Sequence, residues 1–202
     1  MNKLFAIIAA VAALGLATTV HAAGDAKAGK TKAAVCGACH GADGNSPSDG
    51  FPKLAGQHAS YLLKQLQDYK SGKRTNGIMN GQVAALSDQD MADLSAYFAG
   101  QTVTPGAASD KLLKSGTSLY RGGNPASKIS ACIGCHGPTG AGNSEAKFPS
   151  LSGQHAAYIA VQMKAFRNGS RSNDAGSMMQ NIAAHMTDTE IEAVSSVASG
   201  LH

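Results

Sequence analysis

The chain has 202 residues, of which 5% are aromatic and none is tryptophan, and it carries 17 Lys and Arg against 13 Asp and Glu. The formal charge of +4 is spread along the chain, and no basic cluster is interleaved with aromatic residues. Because proteins bind nucleic acids through basic stripes and aromatic stacking platforms, the composition argues against nucleic-acid binding.

The first 22 residues predict a secretory signal peptide. Lys3 gives a short positive start, residues 4–20 form an apolar run, and Val20-His21-Ala22 resembles a small-x-small cleavage site. The run is short for a membrane span and has no charged flank on its far side. We therefore expect cleavage after Ala22 and an exported, soluble mature chain.

All four cysteines of the chain lie in two copies of a C-x-x-C-H motif. The copies are Cys36-Gly37-Ala38-Cys39-His40 and Cys132-Ile133-Gly134-Cys135-His136. C-x-x-C-H is the attachment signature of c-type haem. Two thiols one helical turn apart reach the two vinyl groups on one edge of a porphyrin, and the adjacent histidine lies under the iron. The motifs predict two haem c groups, each bound covalently through two cysteines and ligated by one histidine.

A C-x-x-C pair also occurs in thioredoxin-type redox disulfides and in zinc sites. A thioredoxin-like unit requires a strand before the motif, and no β-rich run precedes either copy. A single zinc site built from all four cysteines needs no histidine after each pair. The haem interpretation is therefore favoured. It also explains the scarcity of large side chains, because a porphyrin fills a core that a lobe of roughly 85 residues leaves thin.

The chain after residue 22 contains one unit repeated twice. The aligned pairs include His40 with His136, residues 51–58 with 148–155, Tyr61 with Tyr158, Arg74 with Arg171, and Leu86 with Met186. A polar junction at residues 102–109 contains Pro105-Gly106 and separates the copies. The repeat predicts one domain over residues 23–104 and a second over residues 105–202.

Apolar residues recur at helical spacing in both copies, and alternating β-type patterns are absent from the sequence. Predicted helices span 25–39, 58–70 and 87–98 in the first copy, and 110–120, 156–167 and 187–197 in the second. Ser87 is the predicted N-cap of the last helix of the first copy. The predicted fold class is therefore all-α, with two tandem helical domains that each surround a haem.

Met79 is the candidate for the second axial ligand in the first copy. It is the only methionine predicted in a loop there, and its segment is rich in glycine. The second copy offers both Met178 and Met179. Met79 and Met179 each lie seven residues before the aligned Leu86 and Met186, so Met179 is preferred and Met178 is the alternative. A thioether favours ferrous iron and closes the sixth position to oxygen and peroxide.

The other histidines are weaker ligand candidates. His58 and His155 recur after Gly-Gln at a helix start, where a surface or capping role is favoured over ligation of iron. His185 and His202 have no counterpart in the first copy. We expect these two at the surface.

A C-x-x-C-H motif followed by a methionine before the final helix resembles a class I cytochrome c. Its duplication in one chain resembles the dihaem cytochrome c4 family over essentially all of the sequence after residue 22. Gly-Gln-His at the start of the middle helix and Arg-x-Asn before the methionine are also similar to that family. The resemblance implies two tandem class I cytochrome c-like domains, packed face to face. It further implies a periplasmic electron carrier between a cytochrome bc complex, or another respiratory donor, and a terminal haem-copper oxidase.

The resemblance also implies that each ligand histidine donates its other ring hydrogen to a proline carbonyl about a dozen residues further on, which orients the imidazole. The fitting pairs are His40 with Pro52 and His136 with Pro149. Arg74 and Arg171 recur with their positive charge and are expected to contact haem propionates. At most, a peripheral association with the membrane is expected.

The rival function is that of a dihaem redox enzyme, of the peroxidase or thiosulfate-oxidising type. Such an enzyme needs an iron with an open or displaceable site and a pocket with acid–base groups. Both copies supply a methionine at the same position, and no further Cys or His recurs beside it. A gas sensor needs the same open site and an output module, for which no length remains. The sequence therefore favours electron transfer without substrate turnover.

Overall fold

A computed structural model describes residues 23–202, and the predicted signal peptide lies outside the described residues. In the first lobe (residues 23–104) the helices are α1 (Ala26–Lys32), α2 (Ala34–His40), α3 (Ala59–Lys70), α4 (Gly77–Val83) and α5 (Asp88–Ala99). In the second lobe (residues 105–202) they are α6 (Asp110–Gly122), α7 (Ile133–His136), α8 (Ala156–Arg167), α9 (Met178–Ala183) and α10 (Asp188–Ser199). Two 3₁₀ turns, Pro125–Ser127 and Ala175–Ser177, precede α7 and α9. Between residues 23 and 202 the only β-structure consists of two isolated bridges, so the all-α prediction is confirmed.

The last helix of each lobe begins at a reciprocal cap. Ser87 Oγ accepts the N–H of Asp90 at 3.1 Å, and the Asp90 carboxylate accepts the N–H of Ser87 at 2.9 Å. Thr187 and Glu190 repeat both contacts, at 3.2 and 2.9 Å. Each cap satisfies donors that a helix start leaves without partners. The prediction of Ser87 as an N-cap is confirmed.

The first predicted helix, over residues 25–39, is divided into α1 and α2. Ala33 joins the two segments with φ −69° and ψ −10°. Its N–H still bonds to the carbonyl of Gly29 at 2.8 Å, and its own carbonyl accepts the N–H of Gly37 at 2.9 Å. The change in ψ at Ala33 therefore divides the helix, but the hydrogen bonds between residues four apart continue into the first C-x-x-C-H motif.

The methionine segments are short helices, so their prediction as loops is wrong. Met79 lies in α4, and Met178 and Met179 open α9. The side chain of Asn76 accepts the N–H of Met79 at 3.0 Å, and Asp174 accepts the N–H of Met179 at 2.8 Å. These caps stabilise a helical turn even in a glycine-rich segment, because they satisfy the first backbone donors.

The first and last helices of each lobe cross at a glycine. A Cβ atom on Gly29 would lie 2.0 Å from the carbonyl oxygen of Asp93, and one on Gly116 would lie 2.2 Å from that of Ala193. No larger residue fits at either crossing unless the helices separate. The close crossing fixes the first helix of each lobe against its last helix.

A buried cluster fills each lobe beside these crossings. The cluster of the first lobe contains Ala33, Leu62, Leu94, Tyr97 and Phe98. The larger cluster of the second lobe contains Leu119, Tyr120, Ile129, Ile159, Met163, Phe166, Ala183, Met186, Ile191, Val194, Val197 and Ala198. Cys36 packs against the first cluster, and Cys132 and Met179 pack against the second. Among residues 23–202, no helix combines the length and the apolarity needed to cross a bilayer.

Candidate haem sites and lobe interface

The two C-x-x-C-H motifs end helices α2 and α7, and none of their four cysteines forms a disulfide. The motif histidines are buried, with His40 6% and His136 7% exposed. In each motif the buried residue is therefore the histidine that follows the cysteine pair. The two cysteines of a pair are one helical turn apart, so their thiols lie on the same side of the helix.

A proline carbonyl holds each motif histidine. His40 Nδ1 lies 2.8 Å from the carbonyl oxygen of Pro52, and His136 Nδ1 lies 2.9 Å from that of Pro149. Both contacts confirm the pairs expected from the sequence. Burial lowers the pKa of each imidazole, and the bond to the proline carbonyl offsets part of this shift. The imidazoles are therefore neutral near pH 7 and donate through Nδ1, which leaves the lone pair on Nε2 for a metal.

The two methionine helices place equivalent side chains at equivalent depths. Met79 and Met179 are both partly buried. The preceding residues, Ile78 and Met178, are 54% and 39% exposed. Met178 therefore occupies the position of Ile78, and Met179 occupies the position of Met79.

This donor set fits haem c. Each lobe contains two thiols one helical turn apart, a buried neutral imidazole and a partly buried thioether on a capped helix. Thioether-forming cysteines with axial His and Met ligands are the set that holds a low-spin haem in cytochromes c. The fit holds equally for both lobes.

Two glutamines join the lobes by a reciprocal set of hydrogen bonds. The Gln154 side chain accepts the N–H of Lys53 at 2.9 Å and donates to its carbonyl at 2.8 Å. The Gln57 side chain makes the same two bonds with Ser150, each at 2.9 Å. Because Gln57 aligns with Gln154 and Lys53 with Ser150, the lobes are related by an approximate two-fold axis.

His58 and His155 also contact the opposite lobe. Both occupy N-cap positions, of α3 and α8, but neither side chain caps its helix. His58 Nε2 lies 2.8 Å from the carbonyl oxygen of Ala141, and His155 Nε2 lies 3.0 Å from that of Ser46. Of the surface or capping role expected from the sequence, the capping role is wrong. Each ring nitrogen instead contacts a main-chain carbonyl of the opposite lobe. His185 and His202 are exposed, as expected.

Arg74 and Arg171 lie at the centre of the interface and are 6% and 8% exposed. Arg74 donates to Gln65 at 2.8 Å, to Tyr158 at 3.0 Å and to Gln162 at 2.7 Å. Arg171 donates to Gln162 at 2.8 Å, to Tyr61 at 3.0 Å and to Gln65 at 3.2 Å. Each guanidinium group thus contacts the glutamine of its own lobe and both the tyrosine and the glutamine of the other.

The two arginines, the two glutamines and the two tyrosines that they contact form an interface cluster, and this cluster is cationic. Within residues 23–202, neither guanidinium group has a carboxylate partner. Burial raises the pKa of the Tyr61 hydroxyl, but the charges of Arg171, Arg74 and Lys64 and the hydrogen bond from Arg171 together lower this pKa below its usual value. Buried cations without a countercharge are costly, so the cluster favours an anion close by.

Sequence reasoning missed the interface glutamines and tyrosines. The signal was present, because Gln57, Gln65 and Tyr61 all recur in the second lobe as Gln154, Gln162 and Tyr158. The repeat alone does not say which polar residues face the second lobe.

The family model for cytochrome c matches the chain twice, over residues 26–101 and 123–196. Cytochrome c4 of Pseudomonas aeruginosa is 54% identical over 203 residues, covering 100% of both chains. The chain belongs to the cytochrome c4 family. The crystal structure of reduced recombinant cytochrome c4 from Pseudomonas stutzeri matches with a TM-score of 0.87 and 51% identity, over 89% of this chain and 100% of that one.

Another relative is the thiosulfate dehydrogenase electron acceptor of Stutzerimonas stutzeri strain A1501. It is 41% identical over 196 residues, covering 93% of this chain and 90% of its own length. As a member of the cytochrome c4 family, the chain is a dihaem electron carrier with two covalently attached haem c groups. The cysteine pairs of the two C-x-x-C-H motifs are their attachment sites.

Proposed function

We propose that this cytochrome c4 family member carries electrons in the periplasm from a cytochrome bc complex, or another respiratory donor, to a terminal haem-copper oxidase, without turning over a substrate. The observation that carries the proposal is the equivalence of the two sites. Each lobe has a buried histidine held by a proline and a partly buried methionine on a capped helix. Two closed irons suit a carrier, because an enzyme needs one of them open.

The proposed axial ligands are His40 and Met79 in the first lobe and His136 and Met179 in the second. Met179 packs against the same cluster as Cys132, whereas Met178 is exposed. That difference in burial supports Met179 over Met178. The division between the domains at residues 104 and 105 stays a prediction.

When bound, haem supplies one-electron redox chemistry at its iron. The chain's own contribution is to limit rearrangement during that change. Pro52 and Pro149 hold the imidazoles in one orientation through the Nδ1 hydrogen bonds, and the helix caps hold the methionines. One cysteine of each motif, Cys36 or Cys132, packs against the buried cluster of its lobe. Small rearrangement in both redox states is what fast electron transfer requires.

The charge of the interface supports Arg74 and Arg171 as partners of the haem propionates. Both guanidinium groups are buried, and their hydrogen bonds run to neutral side chains. A propionate from each lobe would supply the missing anions. This proposal also explains why both arginines lie between the lobes and not on the outer surface.

The deciding experiment is the optical spectrum of the reduced holoprotein before and after carbon monoxide, normalised to iron per chain. The carrier proposal expects two irons and no spectral change. A change on half of the haem would mean that one lobe is open, and the dihaem redox enzyme would replace the carrier. Met79→Ala is the matched control, since it should make the first haem, and only that one, reactive to carbon monoxide.

One relative favours a second candidate donor. Because the Stutzerimonas stutzeri relative is named as an electron acceptor of thiosulfate dehydrogenase, an enzyme that oxidises thiosulfate is the alternative source of electrons. The test is reduction of the oxidised holoprotein, followed by stopped flow, with each donor in turn. The donor that reduces both haems fastest at equal concentration is the one assigned.

Export is part of the proposal, with a signal peptide over residues 1–22. Cleavage after Ala22 leaves Ala23 as the first residue, just before the N-cap of α1 at Asp25. Sequencing of the protein from a periplasmic extract should begin at Ala23. A sequence that begins at Met1 would contradict export by cleavage.

A further inference from the structure

A charged pair breaks the symmetry of the interface. Lys64 and Asp68 form an ion pair on one face of α3, with side chains 26% and 11% exposed. The aligned positions on α8 are Val161 and Ala165, which carry no charge. The pair of the first lobe therefore has no counterpart in the second lobe and must be explained separately.

This pair binds one residue of the second lobe, Asn173. The Asn173 amide donates to Asp68 at 2.6 Å and to Gln65 at 3.0 Å, and its main-chain carbonyl accepts from Lys64 at 2.6 Å. Arg171 donates to the remaining side-chain oxygen at 2.9 Å. Three of the four partners of Asn173 therefore belong to the first lobe, and two of them are the ion pair.

Asn173 adjoins the cap of the methionine helix. The next residue, Asp174, accepts the N–H of Met179 at 2.8 Å and the N–H of Gln180 at 3.1 Å. Its other oxygen accepts the Gln180 side-chain amide at 2.8 Å. A single peptide bond thus joins Asn173, which is bonded to the first lobe, to Asp174, which caps the start of α9.

The first lobe combines anchor and cap in one residue. Asn76, which aligns with Asn173, caps α4 itself, and its N–H donates to Asn80 at 2.6 Å. Asn80 in turn donates to the carbonyl of Tyr69 at 2.6 Å. All of these contacts lie within the first lobe. The second lobe has three more residues between the asparagine and the methionine, and this insertion separates the anchor from the cap.

The inserted segment has an unfavourable backbone that needs such an anchor. Gly176 and Ser177 adopt left-handed conformations, with φ of 58° and 53°. A non-glycine residue in this region is strained and keeps its conformation when surrounding contacts determine it. Asp174 on one side and the partly buried Met179 on the other are the contacts that hold it.

We propose that Asp68, a residue of the first lobe, positions Met179 of the second lobe through Asn173. The proposal rests on the proposed role of Met179 as an iron ligand. Loss of Asp68 releases Asn173, weakens the cap that Asp174 provides, and lets the first turn of α9 open. Ligation in the second lobe thereby depends on docking of the lobes, whereas ligation in the first lobe does not.

The test compares Asp68→Ala and Lys64→Met with Asn76→Ala in the holoprotein. In the reduced state, each axial methionine methyl gives a resonance shifted upfield by the haem ring current. In the oxidised state, imidazole displaces an axial methionine at a rate set by opening of that bond. Asp68→Ala and Lys64→Met should each raise the rate in the second lobe about tenfold, the factor expected from loss of one hydrogen bond to a charged group. Asn76→Ala should raise the rate in the first lobe alone.

The two charge-removing variants separate positioning from a direct electrostatic effect. If the pair acts only through its field, removing a carboxylate and removing an ammonium shift the second haem's potential in opposite directions and leave exchange unchanged. That outcome contradicts the proposal, and so does an equal rise in both lobes. Lys64→Met retains the aliphatic side chain, so it provides the test if Asp68→Ala does not fold.

Failure of the underlying ligation has a different signature. Met179→Ala should remove one of the two shifted methyl resonances, and this loss identifies the second lobe's signal. If both resonances persist in Met179→Ala, Met179 is not the ligand, and the proposed positioning role of Asp68 is then also wrong. If one resonance is lost but Asp68→Ala and Lys64→Met change neither it nor the exchange rate, the ligation stands and the role of Asp68 is wrong.

Discussion

The crossing of the first and last helices carries a large and a small residue in both lobes, but the two are exchanged. In the first lobe, Ala33 on the first helix and Tyr97 on the last are 3% and 9% exposed. In the second lobe, Tyr120 on the first helix and Val197 on the last are 1% and 4% exposed. All four side chains are buried, and the tyrosine comes from the last helix in the first lobe and from the first helix in the second.

The hydroxyl of each tyrosine reaches the same part of its lobe. Tyr97 donates to the carbonyl of Ala42 at 2.9 Å, and Tyr120 donates to that of Gly137 at 2.7 Å. Both carbonyls lie within two residues after the histidine of a C-x-x-C-H motif. Both lobes therefore have a buried tyrosine at the crossing, and its hydroxyl donates to a carbonyl shortly after the haem motif. The helix that supplies this tyrosine differs between the lobes.

The same crossing carries an ion pair in the first lobe, and among the described residues of the second lobe it carries none. Lys32 pairs with Asp90 and Asp93, at 2.6 Å each, and Asp93 also accepts the N–H of Asp25 at 2.9 Å. The second lobe has Ala193 at the position of Asp93. The two lobes should therefore respond alike to changes in packing and differently to changes in pH.

The largest expected effect is loss of the tyrosine that fills each crossing. Tyr120→Ala should destabilise the second lobe by about 4 kcal/mol, because a large buried ring is removed together with its hydrogen bond. Adding Val197→Tyr to this variant should recover part of the loss, since the two positions share one space. Hydrogen exchange of backbone amides in each lobe of the holoprotein measures the effect.

Tyr97→Ala is the matched variant in the first lobe and should have a similar effect there. If Val197→Tyr deepens the loss in the Tyr120→Ala background, the two crossings are not interchangeable in shape.

The next effect should be equal in the two lobes. Gly29→Ala and Gly116→Ala each place a methyl group against a carbonyl oxygen of the last helix, and each should destabilise its lobe by about 3 kcal/mol. Urea unfolding, followed by the haem signals of each lobe, measures both. A lobe that accepts the alanine without loss would show that its helices cross further apart than described.

The stability of the two lobes should respond differently to acid, because within the part of the chain that the structure describes only the crossing of the first lobe carries an ion pair. Hydrogen bonds from Lys32, the N–H of Asp25 and Gln89 lower the pKa of Asp93 to about 2, and Lys32 and Ser87 lower the pKa of Asp90. A carboxyl with a lowered pKa stabilises the fold above its unfolded pKa of about 4, and that contribution is lost as the pH falls through the folded value. The first lobe should therefore lose stability from about pH 4 downwards.

The second lobe also has carboxyls with lowered pKa values, Asp188 and Glu190, but they lie at the start of α10. Lys32→Met provides the comparison between the lobes. It should flatten the acid dependence of hydrogen exchange in the first lobe and leave the second lobe as it is. An unchanged slope in the first lobe would remove the ion pair from the explanation.

The smallest effect is expected at an exposed pair of the second lobe. Asp188 contacts Arg167 at 2.5 Å and Lys164 at 3.2 Å and is 59% exposed. Asp188→Asn should change the stability of the second lobe little, because solvent screens such pairs. Thermal unfolding at low and high salt measures this difference, and a large loss that salt does not reduce would show that the pair is shielded from solvent.

Most of the fold was predictable from local signals. The predicted bounds of α5, α8 and α10 lie within two residues of those observed, because Ser87 and Thr187 are capping residues and the apolar spacing is regular. The sequence predicts the methionine segments as loops, and the segment around Met79 is rich in glycine, a residue that disfavours helix. Caps from Asn76 and Asp174 overcome that preference, and a propensity argument does not count them.

The candidate sites divide in the same way. The cysteines, the histidines and the proline partners follow from motif and spacing, since each contact spans at most 13 residues of chain. The roles of Arg74, His58 and Asp68 do not, because their partners lie 83 to 105 residues away, on the other lobe.

The sequence by itself determined two haem-attachment motifs, an all-helical repeat and a methionine candidate at the same place in each copy, with Met178 as the alternative to Met179 in the second. These features depend on neighbours along the chain or on a comparison of the chain with itself. The tertiary structure alone decided which polar residues join the lobes and which methionine helix is anchored across the interface. The reason is physical: a repeat encodes how each lobe folds, whereas the partners of a buried arginine or aspartate depend on how the two folded lobes dock.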